Sequence, residues 1–448
     1  MQGGTVAQYT VVSLFSGAMG LDLGLEQTNK FVIKAVVEKE KSFCDTIRAN
    51  KAAGRLHPDL AIFEEDICQL DPAVVFAAAG IKPGELDLLV GGPPCQSFST
   101  AGRRGTTQDP RGLLLWQFLR FVEYAKPRFF LLENVRGLLS AAVRHRPIKE
   151  RPDKGGAPLD KDEQPGSVVD LFANDLQRIG ASYNLDCFEV NAVNYGAPQL
   201  RERVLFIGNR YNDSINFPSP THGNPSDSGF DQRKLEPWAT LGDALATVPD
   251  PGTTILDFSP RKKSFLSEVP AGSNWRSLPV ATQQSSMGKA WFAKGGRSGW
   301  WRRLSFDLPC PTLVTMPNHA STSLCHPAEV RALSLREYAA IQEFPKDWQF
   351  CGKPSEQYAQ VGNAVPVRLG TVAGNVIAKA LDKLLNQGMR SYDRRSETYR
   401  IVYVQSHVRT RKWFKDGQVK VWKDGGGNEA ACYGEPVTQH RERDLKYA

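Results

Sequence analysis

The sequence predicts an α/β fold in which a doubly wound sheet is joined to a second, smaller and irregular domain. Over the first 210 residues, short apolar runs of strand length alternate with amphipathic segments of helix length. This alternation is the pattern of a parallel sheet covered by helices on both faces. From residue 211 this alternation of apolar runs and amphipathic segments ends, and Pro, Gly and Ser become frequent. A chain of 448 residues is long enough for two or three domains.

Five short apolar runs in the first 210 residues are predicted to be strands. Each is rich in Val, Leu, Ile and Phe and has the length of a buried strand. They cover residues 9–14, 31–37, 86–90, 129–132 and 204–207. The amphipathic spacing of residues 113–124 predicts a helix between two of these strands. Residues 144–166 are charged and contain Pro and Gly, which indicates a surface insertion.

The chain beyond residue 210 divides by composition into three parts. In residues 211–328, tryptophans alternate with Lys and Arg, which predicts an irregular domain with a positive face, although some of the rings are expected to form a small core. Helical, α/β character returns in residues 329–387. Residues 388–448 are polar and basic, with one strand-like run at 399–404. This last part is open to three interpretations: a DNA-binding addition, a small packing module or a partly disordered tail.

Composition and charge restrict the class of protein. The net charge of +8 and the pI near 9.0 suggest a polyanionic partner, but a merely basic surface would give the same values. The eight cysteines never form a C-x-x-C pair, which argues against a zinc site and against a disulfide framework. Because the sequence has no run of about 18 apolar residues and no signal-peptide pattern, we expect no membrane contact and a cytoplasmic location.

Three features follow predicted strands at positions suited to a nucleoside-containing ligand. Residues 14–20, with the sequence LFSGAMG, form a glycine-containing turn that lets a ligand approach the backbone. Glu38 ends the second strand, where an acidic residue in such folds binds ribose hydroxyls. Asp66 is placed to accept a hydrogen bond from an adenine amino group. Each feature alone is weak, since acids at strand ends also cap helices, but together they favour such a cofactor.

The stretch GGPPCQSFS, at residues 91–99, directly follows a predicted strand. Two glycines and two prolines make an abrupt turn that fixes the direction of Cys95, which a nucleophile needs and a structural cysteine does not. Because a free thiol has a pKa of about 8.5, reactivity requires a positive neighbour or help from a general acid. The loop continues through Arg103, Arg104 and Arg111, which supply positive charge. We therefore predict that Cys95 is a nucleophile.

Three further motifs carry polar residues at predicted strand ends or turns. Glu133, in the sequence ENV, is expected at the end of a strand beside Cys95, where it can act as an acid toward a ring nitrogen, with a helix cap as the alternative. Arg201 and Arg203 would point to the same face of an extended segment, an arrangement suited to a phosphate or a base edge. Asn363 lies in the turn QVGNAVP before a predicted helix.

Taken in order, these motifs resemble the DNA (cytosine-5) methyltransferase family of bacterial restriction–modification systems. The order is FSGAMG, Glu38, Asp66, GGPPCQSFS, ENV, QLRER, a variable region, RALSLREYAAIQEFP and QVGNAVP. The resemblance covers about residues 10–385, and GGPPCQ and GNAVP in this order are highly specific. It implies a Rossmann-like, S-adenosylmethionine-dependent methyltransferase sheet with a second, smaller target-recognition domain.

The resemblance implies roles for the catalytic residues. Cys95, next to Pro94, would attack a cytosine flipped out of the duplex. Glu133 would hold and protonate that base, and Arg201 and Arg203 would surround the flipped nucleotide. The implied reaction is transfer of a methyl group from S-adenosylmethionine to carbon 5 of cytosine by covalent cysteine catalysis.

The resemblance also implies which residues bind S-adenosylmethionine. They are Phe15, Ser16, Gly17, Gly20, Leu21, Glu38, Asp66, Ile67, Pro93, Leu114, Asn363 and Ala364. Phe15 would stack on the adenine, Glu38 would bind the ribose and Asp66 would contact the adenine. The sequence departs from the family at Met19 and Lys39, where relatives commonly have a glycine and an aromatic residue.

DNA contacts are expected from two regions. The loop that begins with Cys95 would contribute Gln96, Ser99, Arg103 and Arg104. In the second domain, the candidates for phosphate or guanine contact are Arg297, Arg302 and Arg303.

The predicted organisation follows from these roles. Residues 1–210 form a catalytic and cofactor-binding domain, residues 211–328 a target-recognition domain, residues 329–387 a return segment that completes the catalytic domain, and residues 388–448 a basic extension. The expected partner is double-stranded DNA, bound by a monomer at the nucleoid and paired in function with a restriction endonuclease without a stable complex. A tRNA cytosine methyltransferase and a catalytically inactive DNA-binding regulator are the alternatives. The length of residues 211–328 argues against the first, and the presence of Cys95 and Glu133 argues against the second.

Overall fold

The computed structural model describes most of the chain. The described residues are 8–94, 114–179, 183–211, 214–226, 230–293, 297–387 and 397–404, together with strands at 412–415, 418–421 and 437–442. Five of the predicted site residues lie outside these ranges: Cys95, Gln96, Ser99, Arg103 and Arg104. The structure therefore bears on the residues that surround the predicted nucleophile.

The central element is a nine-stranded mixed sheet. Its strands are β1 (Tyr9–Leu14), β2 (Phe31–Glu38), β3 (Ala61–Glu64), β4 (Leu88–Gly91), β5 (Phe129–Val135), β6 (Asn184–Asn191), β7 (Glu202–Asn209), β10 (Glu397–Tyr403) and β13 (Val437–Glu442). Their order in space is β13-β10-β6-β7-β5-β4-β1-β2-β3. Strands β7 and β13 run antiparallel to their neighbours, and the other neighbouring pairs are parallel. This arrangement confirms the predicted Rossmann-like fold class.

Eleven helices accompany this sheet in the described residues. They are α1 (Gly20–Glu26), α2 (Lys41–Ala52), α3 (Pro72–Ala79), α4 (Leu114–Ala125), α5 (Ser167–Arg178), α6 (Leu241–Ala246), α7 (Pro260–Ser267), α8 (Val280–Met287), α9 (Leu335–Ile341), α10 (Pro354–Asn363) and α11 (Val367–Gln387). Four short strands form two small separate sheets: β8 (His222–Gly223) with β9 (Glu236–Pro237), and β11 (Lys412–Lys415) with β12 (Gln418–Val421).

Both faces of the main sheet are buried, which is why its strands read as almost continuous apolar runs. Neighbouring residues of a strand point to opposite faces. In β1, Val11 packs in the core with α1 and α11, while Val12 packs in the core with α3, α4 and α5. The helices thus cover the sheet on two sides, as the alternation of runs in the sequence predicts.

The strand containing Glu133 is longer than predicted. The prediction ended it at residue 132, with Glu133 just beyond, but β5 continues through Val135. The reason is pairing with β7, in which Glu133 lies opposite Leu205 and Val135 opposite Arg203. Glu133 is therefore held by a strand rather than by a loop.

The second domain has its own small core, which the sequence partly anticipated. Trp275 and Trp301 are buried there together with Phe258 and Leu266, and this confirms that some of the tryptophans pack inside. Short helices and turns connect these residues, and long strands are absent from the described part of residues 211–328.

Residues 329–387 return to the main sheet as helices. They form α9, α10 and α11 and contain no strand, so the predicted α/β character of this segment is wrong in that respect. Helix α11 crosses α1 with backbones in contact, because a Cβ atom on Gly24 would lie 2.2 Å from Val367 O and 2.6 Å from the Cα of Gly370. Within the described ranges, no helix combines the length and apolarity that crossing a membrane requires.

Candidate functional site

The turn between β1 and α1 is compact and left-handed. Phe15, Gly17 and Met19 have φ angles of 55°, 57° and 69°, and the Ser16 hydroxyl donates to Ser13 O at 3.2 Å. A Cβ atom added to Gly17 would meet nothing within 4 Å, so the turn leaves open space at this residue. Met19 has the backbone conformation that glycine adopts at least cost. Its fully buried side chain offsets this, because apolar burial contributes about 1.5–3 kcal/mol.

Glu38 organises this turn. Its carboxylate accepts hydrogen bonds from the backbone N–H groups of Gly17 at 2.8 Å, Lys39 at 2.7 Å and Glu40 at 2.9 Å. Burial raises the pKa of the Glu38 carboxyl, and these backbone donors partly oppose the shift. Because a carboxylate has about four lone-pair positions, an acceptor position is left for a ligand hydroxyl.

Asp66 lies beside Glu38 but is already paired. Its Oδ1 accepts from Cys68 N at 3.0 Å, and its Oδ2 accepts from Lys39 Nζ at 3.0 Å. The Cys68 N–H and the Lys39 ammonium both lower the pKa of the Asp66 carboxyl. Ile67, next in the chain, is buried among the residues that pack below α4. Lys39, one of the two departures from the resembled family, therefore touches a predicted adenine-binding residue.

The start of the cysteine loop is held against β5. Asn134 Nδ2 donates to Pro93 O at 3.1 Å. A Cβ atom on Gly92 would lie 3.1 Å from Glu133 Oε2, which is closer than ordinary van der Waals contact. Pro93 is buried and Pro94 is exposed. Gly92, three residues before Cys95, therefore lies directly beside the Glu133 carboxylate.

Glu133 forms an ion pair with Arg203. Arg203 Nε lies 2.5 Å from Glu133 Oε1, and each side chain is 11% exposed. Since Arg203 contacts Oε1 and Gly92 faces Oε2, the carboxylate is oriented with one oxygen toward the cysteine turn. The contact is an ion pair by distance rather than an aligned hydrogen bond, since Arg203 Nε has no hydrogen-bond partner and Arg203 Nη1 donates instead to Glu202 O at 2.7 Å.

Arg201 does not join this pair but turns toward the helical return segment. Its guanidinium donates to Leu313 O at 3.2 Å, Gly362 O at 2.9 Å and Asn363 O at 3.4 Å. Burial lowers the pKa of Arg201, as does the nearby positive charge of Arg203. The two arginines were predicted to share one face, but β7 begins at Glu202, so Arg201 precedes the strand. Arg201 and Arg203 therefore contact different groups in the structure: Arg201 the Asn363 turn and Arg203 the Glu133 carboxylate.

The turn that contains Asn363 contacts the β1–α1 turn. A Cβ atom on Gly20 would lie 2.3 Å from Val365 O and 3.2 Å from the Cβ atom of Ala364. Gln342 Nε2 supports the same turn by donating to Val361 O at 2.7 Å and to Ala364 O at 3.0 Å. Two motifs more than 340 residues apart in sequence are thus in contact. Leu21 is buried in α1, and Leu114 begins α4, partly buried.

Two glutamines that position the site were missed by sequence reasoning. Gln199 Nε2 donates to Gln342 Oε1 at 2.5 Å, and both side chains are fully buried. Gln199 belongs to the QLRER motif, which was considered only for its arginines. A buried polar side chain must find a partner, but the sequence gives no sign that the partner is 143 residues away.

The arginines predicted to contact DNA from the second domain are engaged within it. Arg303 donates to Pro327 O at 3.0 Å, to Val269 O at 3.3 Å and to Ala328 O at 2.9 Å. Arg302 Nε donates to Ser323 O at 3.3 Å. Arg297 donates to Trp291 O and lies over the ring of Trp275, 5.1 Å from its centroid. Irregular segments leave carbonyl groups without strand partners, and these side chains satisfy some of them. Direct DNA contact by the three arginines stays a prediction.

Buried cysteines elsewhere are poorly suited to act as nucleophiles. Burial raises the thiol pKa to about 12 for Cys44 and Cys310 and to about 11 for Cys325, and it also raises the pKa of the Cys187 thiol well above its ordinary value. A protonated thiol is a weak nucleophile. Cys95 lies outside the described residues, so its role as the nucleophile stays a prediction.

Comparisons with known proteins show the family to which the chain belongs. Residues 9–379 match the family model described as C-5 cytosine-specific DNA methylase. The Type II methyltransferase M.PspPI of Psychrobacter sp. (strain TA137) is 37% identical over 384 residues, which cover 84% of this chain and 80% of that protein. M.Eco47II of Escherichia coli is 35% identical over 392 residues, with the same coverage. A crystal structure of a prophage-encoded E. coli protein, described as a DNA modification methyltransferase, covers 85% of this chain and 100% of its own with a TM-score of 0.50 and 23% identity.

Proposed function

This chain belongs to the C-5 cytosine-specific DNA methylase family and is a DNA (cytosine-5) methyltransferase of the restriction–modification type, and from that premise we propose how its residues carry the reaction. Cytosine is weakly nucleophilic at carbon 5, so the ring must be activated. The proposal assigns this activation to Cys95 and Glu133. The observation that carries it is the orientation of Glu133, with Oε1 on Arg203 and Oε2 facing Gly92 at the start of the cysteine turn.

The covalent step starts with the Cys95 thiolate. Its sulfur forms a bond to carbon 6 of the cytosine while ring nitrogen 3 takes a proton from the Glu133 carboxyl. Carbon 5 becomes enamine-like and accepts the methyl group. Loss of the carbon 5 proton to a base then breaks the bond between sulfur and carbon 6 and releases the Cys95 thiolate, while ring nitrogen 3 returns its proton to the Glu133 carboxylate. Arg203 orients the Glu133 carboxyl throughout, and Asn134 fixes the turn that presents Cys95 through its hydrogen bond to Pro93 O.

The residues near the β1–α1 turn fit S-adenosylmethionine, which supplies the methyl group on a sulfonium sulfur. Glu38 keeps an acceptor position for a ribose hydroxyl beside the open space at Gly17. Phe15 would cover the adenine, and Asp66 and Ile67, which follow the neighbouring strand β3, would contact it. The turn at Asn363 and Ala364 packs against Gly20 and so supports the β1–α1 turn.

Attack on carbon 6 requires access to the face of the base. A stacked base offers no such access, so the target cytosine has to leave the duplex at a cost of a few kcal/mol. Arg203 and the edge of β5 would then receive the extruded nucleotide. The buried contacts of Arg201 assign it to positioning: it joins β7 to the Asn363 turn rather than facing the base.

The biological role follows from the type of enzyme. Methylation of cytosines in one duplex sequence would protect host DNA from an endonuclease of the same specificity. A monomer that meets this endonuclease only through their shared DNA sequence needs no stable complex with it. Such an enzyme works where the chromosome is, so we expect it at the nucleoid in the bacterial cytoplasm.

The first experiment measures methyl transfer from labelled S-adenosylmethionine to duplex DNA and to tRNA. We expect label in DNA only, and Cys95→Ala should abolish transfer while binding of S-adenosylhomocysteine, measured by calorimetry, stays within about twofold. Turnover by Cys95→Ala would overturn the assignment of the nucleophile. Label in tRNA but not in DNA would overturn the assigned substrate.

A further inference from the structure

Strand β5 continues directly into Arg136, which begins the 3-10 turn Arg136–Ser140. This turn lies at the edge of the sheet where β5 presents Glu133, which we call the catalytic edge. Strand β7 is antiparallel to both β5 and β6, so β7 starts at this edge and β6 ends at it. The ends of three neighbouring strands therefore meet beside Arg136. The proposed reaction gives this arginine no role.

Arg136 forms ion pairs with the two other strands. Arg136 Nε lies 2.7 Å from Glu189 Oε1 on β6, and Arg136 Nη1 lies 3.6 Å from Glu202 Oε2 on β7. The Glu189 side chain is 2% exposed, whereas those of Glu202 and Arg136 are 34% and 39% exposed. One guanidinium thus joins a buried carboxylate to a partly exposed one at the strand ends.

The two carboxylates are neighbours across β6 and β7. Glu189 lies opposite Val204, and Glu202 lies opposite Asn191, so the two glutamates are diagonal neighbours on one face of the sheet. Like charges on neighbouring strands destabilise their pairing, and the repulsion is stronger where water is excluded. Because Arg136 contacts both carboxylates, its charge offsets this repulsion.

These ion pairs and the Glu133–Arg203 pair lie on opposite faces of the same strand ends. Glu202 shares its face with Val204, in the core that contains α4 and α5, while Arg203 shares its face with Leu205, in the core that contains α1 and α11. The two faces are coupled through the backbone, since Arg203 Nη1 donates to Glu202 O at 2.7 Å. A shift of β7 at Glu202 therefore moves the guanidinium that contacts Glu133.

Of the two glutamates, Glu202 has the backbone that yields more easily. Glu189 lies inside β6, opposite Val204 on one side and Tyr403 of β10 on the other. Val404 N, at the end of β10, donates to Glu189 O at 2.9 Å. Glu202 is the first residue of β7. Repulsion between the two carboxylates would therefore displace the start of β7.

We propose that Arg136 is a positioning residue for methyl transfer, which fixes the start of β7 by holding Glu189 and Glu202 together and thereby fixes the Glu133 carboxyl through Arg203. The inference rests on the proposed function, because that function makes Glu133 the acid. Arg136 then acts on the chemical step and not on the binding of cofactor or DNA. With about 100-fold in rate for a misplacement of 1 Å, a shift of about 0.5 Å costs about tenfold.

The first test measures single-turnover methylation at saturating duplex and S-adenosylmethionine. Arg136→Gln leaves the two carboxylates without the cation between them, and its rate should fall about tenfold. Adding Glu202→Gln removes one carboxylate and should bring the rate back to within about threefold of that of Glu202→Gln alone. Arg136→Lys keeps the charge but loses the planar fork, and it should lose about threefold.

A second readout shows whether Arg136 acts through Glu133. In the Glu133→Gln background, Arg136→Gln should slow the reaction by less than about twofold, because no acid is left to position. Arg55→Gln is the matched control, since it breaks a 2.6 Å ion pair with Asp347 at the opposite edge of the sheet, between α2 and β3. This control should keep the wild-type rate. Every variant should keep the wild-type affinity for S-adenosylhomocysteine and for duplex DNA.

A wild-type rate in Arg136→Gln, or a loss that Glu202→Gln does not relieve, would overturn the proposal. An undiminished effect of Arg136→Gln in the Glu133→Gln background would also overturn it, because Arg136 would then act independently of the acid. Weaker DNA binding with a smaller salt slope and an unchanged rate would identify a phosphate contact instead.

Folding is monitored by urea unfolding of each variant. If Arg136→Gln does not fold, the loss in Arg136→Lys and its disappearance in the Glu133→Gln background give the same test. An unimpaired Glu133→Gln would remove the proposed acid, whereas a slow Glu133→Gln together with a wild-type rate in Arg136→Gln would remove the role of Arg136 alone. The two proposals therefore fail separately.

Discussion

Gly92→Ala tests the contact between the cysteine turn and Glu133. The added Cβ atom would lie 3.1 Å from Glu133 Oε2, whereas ordinary contact begins near 3.4 Å. Neither side can yield freely, because Arg203 holds Oε1 of Glu133 and Asn134 holds Pro93 O. The carboxylate and the turn must therefore separate by several tenths of an ångström.

The size of the effect follows from that displacement. A misplacement of 1 Å in an active site can cost about 100-fold in rate, so a shift of about 0.3 Å should lower the rate of methyl transfer roughly fourfold. Stability should change by less than about 1 kcal/mol, since alanine also restricts the unfolded chain. Single-turnover methylation with excess enzyme isolates the chemical step from product release.

Gly137→Ala provides a matched control. Gly137 lies four residues after Glu133, and a Cβ atom there would meet nothing within 4 Å. We expect its single-turnover rate to equal that of the wild type. If Gly92→Ala and Gly137→Ala react equally fast, the close approach of the turn to Glu133 has no catalytic importance and the reasoning is refuted.

Three other predictions concern the acid, a buried carboxyl and the sheet extension. Glu133→Gln should slow single-turnover methylation by about 10²- to 10⁴-fold with unchanged cofactor affinity, and an unimpaired rate would exclude an acid role. Burial raises the pKa of Asp22 to about 6 and that of Glu26 to about 7; folding therefore favours their protonated forms, and stability should fall as the pH rises from about 4 to 7. In Asp22→Asn, the free energy of unfolding in urea should decrease over this pH range by up to about 3 kcal/mol less than in the wild type. The same pH dependence in both proteins would contradict the raised pKa of Asp22. Arg400→Ala should cost about 3–5 kcal/mol in urea unfolding because it removes the ion pair between Arg400 and the buried Asp186 carboxylate; a loss below about 1 kcal/mol would show that this pair does not anchor β10.

Strands β1 and β2 and the turns that follow them could be predicted well from the sequence, whereas β3 and β6 are not among the predicted strands. Strand β1 coincides with its predicted bounds because its apolar run is limited by the polar turn after Leu14. Glu38 lies at the end of β2, as predicted, because burial on both faces stops where the strand leaves the helices. Such features depend on local composition, and local composition is what a single sequence displays.

Long-range pairing could not be predicted in the same way. Strand β5 extends to Val135 only because β7 lies beside it. The apolar runs of β5 and β7 do not show that these two strands are neighbours in the sheet. The buried contact of Arg201 with Gly362 spans 161 residues. Arg303 is indistinguishable in sequence from a DNA-binding arginine, yet it donates to three backbone carbonyls of its own domain. These outcomes depend on which polar groups the folded chain leaves without partners.

The most direct test of the account is to trap the covalent intermediate. A duplex with 5-fluorocytosine at the target position permits attack and methyl transfer but has no proton on carbon 5 to lose, so the bond between sulfur and carbon 6 should persist. After denaturation, we expect a stable protein–DNA adduct with wild-type enzyme and S-adenosylmethionine, and mass spectrometry of the digested adduct should place the DNA on the peptide containing Cys95. An adduct on another residue, or an equal yield of adduct with Cys95→Ala, would contradict the central claim.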